Sequence, residues 1–141
     1  MSKGALPIIL VDTSVWIEFF NRKPQINPVE LESILEEKRV VTCFPIRAEL
    51  LSGTMSTPVR EVVTRALESL ITVDPDWNKP ITWQRVVASG MMARKKGIAI
   101  PGLVDRMILE SALECSAALW TLDKKLKNLA RHSEVPLFPT L

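Results

Sequence analysis

Three stretches of this 141-residue chain are apolar and β-prone from end to end: residues 8–11 (IILV), 40–44 (VVTCF) and 117–122 (AALWTL). A strand with one wet face alternates apolar and polar residues. Unbroken runs fit strands covered on both faces, as in a parallel sheet. Parallel neighbours cannot be joined by a tight turn and need crossover connections, usually helices. The intervening sequence supplies them. Asn27-Pro28-Val29-Glu30 is a helix start, with Asn as N-cap, Pro at the first helical position and Glu three residues after the cap; its apolar face is Leu31, Ile34 and Leu35. Pro45 opens a helix through IRAELLS that Gly53 is expected to stop. Thr57-Pro58 repeats the cap-plus-proline signal ahead of Val59, Val62, Val63, Ala66 and Leu67.

Residues 71–73 read as a short strand, and Asn78-Lys79-Pro80 opens a helix that ends near Gly97. The stretch LVDRMILESALECS is helical and apolar on most sides, residues 13–21 form a short helix, and residues 123–132 a basic one. Residues 135–138 are expected as a last edge strand, where Pro136 is tolerated. Strands alternating with helices give an α/β, three-layer fold. Its central sheet is mostly parallel, with four to five strands and helices on both faces. Repeats and linkers are missing, so residues 1–141 read as a single domain.

With 47% hydrophobic and 24% charged residues, the chain can bury a real core. No apolar run approaches the ~18 residues of a membrane span, and the short apolar stretch before Asp12 cannot supply a signal-peptide core. A cytoplasmic protein is the expectation. Cys43 and Cys115 lie in apolar surroundings and fit buried free thiols. His132 is the only histidine, which argues against zinc ligation and a His-based triad. GxGxxG and GxxxxGK[ST] motifs are missing, so dinucleotide and P-loop chemistry lack support.

Charge is unevenly spread. Residues 1–76 carry 8 Lys+Arg against 11 Asp+Glu, and residues 77–141 carry 10 against 5. The cations cluster as Arg94, Lys95 and Lys96, and as Lys124, Lys125, Lys127 and Arg131. Such runs read either as solvated helix faces or as contacts to a polyanion such as RNA.

In open parallel sheets, ligands sit beyond the carboxyl ends of the strands. Asp12 follows the first strand and Asp123 follows the strand ending at Leu122. Glu49 lies on the helix after the second strand. Asp105 stands in the first turn of the helix whose face continues through Ile108, Leu109 and Ala112, and a carboxylate on such a face needs a partner or a metal. Each acid alone also reads as an N-cap or an exposed charge. Together they would gather at one sheet edge and repel one another unless cations neutralise them. Hard oxygen ligands select Mg²⁺ or Mn²⁺ over zinc.

The segments VDTSVWIEFF, PIRAELLSG, LVDRMILESAL and ALWTLDKKL, in this order and covering essentially the whole chain, resemble those of PIN domains of the bacterial and archaeal toxin–antitoxin type, the VapC-like ribonuclease toxins. The resemblance implies a divalent-metal-dependent ribonuclease whose acidic quartet is Asp12, Glu49, Asp105 and Asp123, lined by the hydroxyls of Thr13, Ser14 and Thr121. It further implies a small antitoxin partner and a homodimer. The aspartates are the expected metal ligands, and Glu49 either ligates, directly or through water, or orients the attacking hydroxide. Lys124, Lys125, Lys127, Arg94, Lys95 and Lys96 are the candidate RNA contacts. Trp16, Trp83 and Trp120 are read mostly as core, with base stacking as the alternative. Two other readings stay open: a housekeeping PIN nuclease for RNA processing, and a non-catalytic binding module that keeps only the fold.

Overall fold

A computed structural model describes residues 6–21, 24–53 and 55–139. Strands β1 (Ile9–Val11), β2 (Val40–Thr42), β3 (Ile71–Thr72) and β4 (Ala118–Trp120) form one sheet in the order β3-β2-β1-β4, and every pairing is parallel. Ile9 pairs with Val40 on one side and Ala118 on the other, and Val11 pairs with Trp120. The helices are α1 (Thr13–Phe19), α2 (Pro28–Glu36), α3 (Phe44–Ser52), α4 (Thr57–Glu68), α5 (Pro80–Lys95), α6 (Leu103–Cys115) and α7 (Lys124–His132). Every residue of β1, β2 and β4 is buried. Because successive strand side chains point to opposite faces, both faces of the sheet are covered.

The chain order matters more than the strand count. From β1 the chain steps outward to β2 and β3, then returns to place β4 on the other side of β1. Strand order therefore reverses between β1 and β4. Connections leaving the two strands diverge at such a switch point and open a crevice beyond their carboxyl ends. Asp12 closes one strand and Thr121 the other.

Local signals behave as their chemistry dictates, with three departures. Asn27 caps α2 through its side chain, accepting from the Val29 N–H at 3.1 Å. The expected edge strand at 135–138 is reduced to one parallel bridge between Leu119 and Leu137, made by Leu119 N–H on Pro136 O at 2.8 Å and Phe138 N–H on Leu119 O at 2.9 Å, while Pro136 and Pro139 have no N–H to extend the ladder. Gly53 does follow α3, but its φ of −70° is open to any residue. The carbonyls of Leu51 and Gly53 are instead held by the Arg60 guanidinium, a tertiary contact in place of the glycine C-cap. Ser56 and Lys79 stand at the N-cap positions of α4 and α5 without a side-chain cap bond, one residue off the expected starts. Cys43 and Cys115 are both free thiols.

Helix α5 ends on Gly97 at φ 68°, with Ile98 N–H returning to Ala93 O at 3.0 Å and Gly97 N–H to Arg94 O at 3.1 Å. This is the two-bond Schellman ending. Helix α2 ends the same way on Lys38, at φ 57°, with Arg39 N–H bonded to Ile34 O at 3.0 Å. The positions separate backbone strain from packing, since a Cβ at Gly97 meets nothing within 4 Å. Gly97→Ala should cost about 1 kcal/mol and Lys38→Gly should gain somewhat less. Urea unfolding of both variants reads this directly; equal stability of Gly97→Ala and wild type would remove the left-handed cap from the account.

Candidate metal centre

Asp12 is 3% exposed and its backbone N–H is bonded to Trp120 O at 2.9 Å, which fixes the end of β1 against β4. It occupies the N-cap position of α1 but makes no side-chain cap bond. Its carboxylate turns instead toward the crevice. Oδ2 accepts from Ser14 Oγ at 2.8 Å and Thr121 Oγ1 at 2.7 Å. Those hydroxyls are themselves positioned by backbone: Leu122 N–H donates to Ser14 Oγ at 3.0 Å and Asp123 N–H to Thr121 Oγ1 at 3.1 Å. Oδ1 is buried and has no hydrogen-bond partner among the described residues. A buried anionic oxygen without a partner is costly, and a bound cation is the chemistry that satisfies it.

Glu49, exposed on α3, accepts from Thr13 Oγ1 at 2.9 Å. Asp105 sits in the first turn of α6. Asp12, Glu49 and Asp105 each offer one oxygen, all within 4.8 Å of one another. Oxygens around Mg²⁺ at about 2.0–2.1 Å stand about 3 Å apart when adjacent and about 4.2 Å when opposite, so direct ligation by all three requires them to draw closer. Burial, then the charges of Asp12, Asp123 and Glu49 in that order, push the Asp105 carboxyl up to about 6, with Lys125 pulling the other way. The donor set therefore fits a hard divalent cation.

Asp123 stands differently. It caps α7, its Oδ1 accepting from Leu126 N–H at 2.8 Å, and it lies outside the 4.8 Å trio. Its charge still reaches Asp105. Of the six cations singled out from sequence, Lys125 is the one whose charge acts on Asp105. Lys127 lines a cavity next to Thr121. Lys124 is exposed at the start of α7, while Arg94, Lys95 and Lys96 close α5, where positive charge complements the helix dipole. Trp16 and Trp120 are buried and Trp83 is partly exposed.

Asp74, which sequence patterning did not single out, supports the centre from behind. It follows β3 and accepts the Phe44 N–H at 3.1 Å and the Trp77 indole N–H at 2.8 Å. Helix α3 has no side-chain cap from its own N-cap residue, so Asp74 caps the Glu49 helix from 30 residues away. The signal available was a third acid at a strand's carboxyl end. Cys43, at the end of β2, is no candidate nucleophile, since burial pushes its thiol up to about 12.

Residues 9–132 match the PIN domain family. The chain belongs to the PIN domain family. A VapC ribonuclease of Mycobacterium bovis is 28% identical over 126 residues, covering 88% of this chain and 92% of the relative. Ribonuclease VapC11 of Mycobacterium tuberculosis matches to the same extent. Among solved structures, VapBC2 from Rickettsia felis, bound to a DNA fragment from its promoter, superposes with a TM-score of 0.67 at 18% identity, over 92% of this chain and 96% of that one. FitAcB from Neisseria gonorrhoeae gives 0.66 at 21%, over 93% and 96%. At these identities the structures establish the fold alone.

Two outcomes test the PIN centre without any substrate. Asp105 keeps a proton in the folded protein that the unfolded chain loses, between its ordinary 3.8 and about 6. The metal-free protein should therefore lose stability as pH rises through that window, and Asp105→Asn should flatten this component. Thermal melting from pH 4 to pH 7.5 measures it; an identical pH slope in the variant removes the crowding. Thr121→Val deletes one donor to Asp12 Oδ2 and the acceptor of Asp123 N–H. It should lower Mn²⁺ affinity by about 10–100-fold, as loss of a ligand-orienting partner does, in a titration of purified protein.

Proposed function

We propose that this PIN protein is a divalent-metal-dependent endoribonuclease of the VapC toxin type, acting on RNA phosphodiester bonds in the cytoplasm. The observation that carries the reading is the unpartnered, buried Oδ1 of Asp12, on a carboxylate that offers an oxygen within 4.8 Å of oxygens from Glu49 and Asp105. Mg²⁺ or Mn²⁺ held there supplies a water of lowered pKa and neutralises the scissile phosphate. Asp123 completes the quartet, either as a ligand through its remaining oxygen or by its charge alone. The names of the mycobacterial relatives support ribonuclease chemistry.

The chain's own groups do the positioning. Ser14 and Thr121 hold Asp12 in one orientation, and Thr13 holds Glu49 toward the centre, where it orients the attacking water. Lys125, near Asp105, and Lys124 draw the RNA backbone toward an otherwise repulsive site. A small antitoxin restrains the enzyme, and an arginine from it pairs with the carboxylates, because guanidinium binds them bidentately. The protein pairs with itself, for which the exposed Val59 and Val62 of α4 supply apolar surface.

Helices that are long and apolar enough to cross a membrane are missing among the described residues. A non-catalytic binding module explains the fold equally well but gives no reason for an orphaned buried carboxylate oxygen. A housekeeping nuclease shares this chemistry and differs only in partner.

Purified protein should cleave total RNA with Mg²⁺ or Mn²⁺ and stop with chelator. Asp12→Asn should lower cleavage by about 100-fold or more while leaving the metal-free protein as stable or more stable, since the amide removes one like charge and can donate to Glu49 and Asp105. Full activity in Asp12→Asn would sink the metal site. Lys124→Gln with Lys125→Gln should flatten the salt dependence of RNA binding by about one unit of slope for each phosphate the protein no longer neutralises. Sedimentation at tens of micromolar should show a dimer.

A further inference from the structure

Beside the acidic centre, and outside it, lies a cavity of about 530 Å³, within the ~300–1,000 Å³ range of small-molecule sites. The two share Thr121. Its hydroxyl bonds Asp12 at 2.7 Å, while the residue also lines the cavity. The cavity runs from the carboxyl end of β4 to helix α7, the bridge residue Leu137 and the turn before α2.

Its walls differ in chemistry. Lys127 and Arg131, one helical turn apart on α7, both face it, and neither is paired with a carboxylate among the described residues. Phe138 and Trp120 form an aromatic wall, their ring centroids 5.1 Å apart at 64°. Phe138 is half-buried while Trp120 is 4% exposed, so the phenylalanine presents the available apolar surface. Asn27, just before α2, and Glu30, on it, add an amide and a carboxylate. The Asn27 carbonyl oxygen is taken by the α2 cap, leaving its NH₂ as donor.

We propose that this cavity is a nucleotide subsite that holds a residue of the RNA next to the scissile phosphate and so selects where the chain is cut. The proposal rests on the ribonuclease reading of the neighbouring centre and deepens it. Lys127 and Arg131 take the phosphate, two unpaired cations at one-turn spacing suiting an anion with several oxygens. The base lies against Phe138. Asn27 and Glu30 offer a donor and an acceptor to its edge, so the subsite discriminates among bases. A peptide carboxylate would use the two cations but leave the aromatic wall and the base-edge groups without a role.

The test uses the Asp12→Asn protein with adenosine 5′-monophosphate, adenosine and inorganic phosphate as probes, followed by NMR of the tryptophan indole and arginine side-chain signals. The monophosphate should bind best, shifting Trp120 and Arg131 together. Arg131→Gln and Lys127→Gln should each weaken it by about fivefold or more, and Phe138→Leu should weaken adenosine and its monophosphate but not phosphate. In the otherwise wild-type enzyme, Arg131→Gln should change the distribution of cleavage positions on a mixed RNA while leaving Mn²⁺ affinity unchanged.

Shifts confined to other regions, unchanged affinities, or an unchanged cleavage pattern would overturn the subsite. So would variants that bind the nucleotide normally but fail to hold a partner peptide, which would give the cavity to a protein. Nucleotide binding here with RNA left intact by the wild type would keep the subsite and discard the ribonuclease reading. RNA cleavage indifferent to Arg131→Gln would do the reverse.

Discussion

Thr121 Oγ1 donates to Asp12 Oδ2 at 2.7 Å across 109 residues of sequence. Much of the site follows from that bond. It ties the carboxyl end of β4 to the carboxyl end of β1 at the point where strand order reverses. It occupies one carboxylate oxygen, while the other is buried without a partner among the described residues. The same Thr121 oxygen accepts Asp123 N–H, which fixes the start of α7. A single hydroxyl thus sets the orientation of the first acid and the entry of the basic helix.

The centre works against the fold that holds it. Burial and three neighbouring carboxylates push Asp105 up to about 6, and an anionic oxygen of Asp12 is left unsatisfied. Both costs fall on the metal-free state, and a cation held among these oxygens would remove them. The supporting contacts resist collapse of the site: Thr13 holds Glu49, Arg60 holds the end of α3 and Asp74 holds its start. Helix α3 is held at both ends by side chains from elsewhere in the chain, Asp74 at its start and Arg60 at its end.

Much of this was readable along the chain. Nearly continuous apolar runs announced β1, β2 and β4, because strands buried on both faces leave little place for a polar residue, Thr42 being the exception. Cap-plus-proline pairs announced α2 and α4 because the fixed φ of proline suits the first turn. Less legible were features decided across space. The 135–138 segment reads as a strand by composition, yet its prolines leave one bridge. Gly53 reads as a helix stop by glycine geometry, yet Arg60 makes the stop. Asp12 and Asp123 look alike in sequence, each an acid between a strand and a helix. In the fold Asp123 caps its helix and Asp12 does not.

The sequence by itself determined the class of fold and singled out four acids, two after strands and two on helices, because hydrophobic periodicity and the chemistry of helix starts are local and need only a few neighbouring residues. Tertiary structure alone decided which carboxylate oxygens converge within 4.8 Å, which one is left without a partner, and which cations face the cavity beside them. Those depend on strand order β3-β2-β1-β4 and on hydrogen bonds between residues about a hundred positions apart. Local composition does not encode such distances, since the same acid at a strand's end can turn back to cap its own helix or turn outward to meet another chain segment.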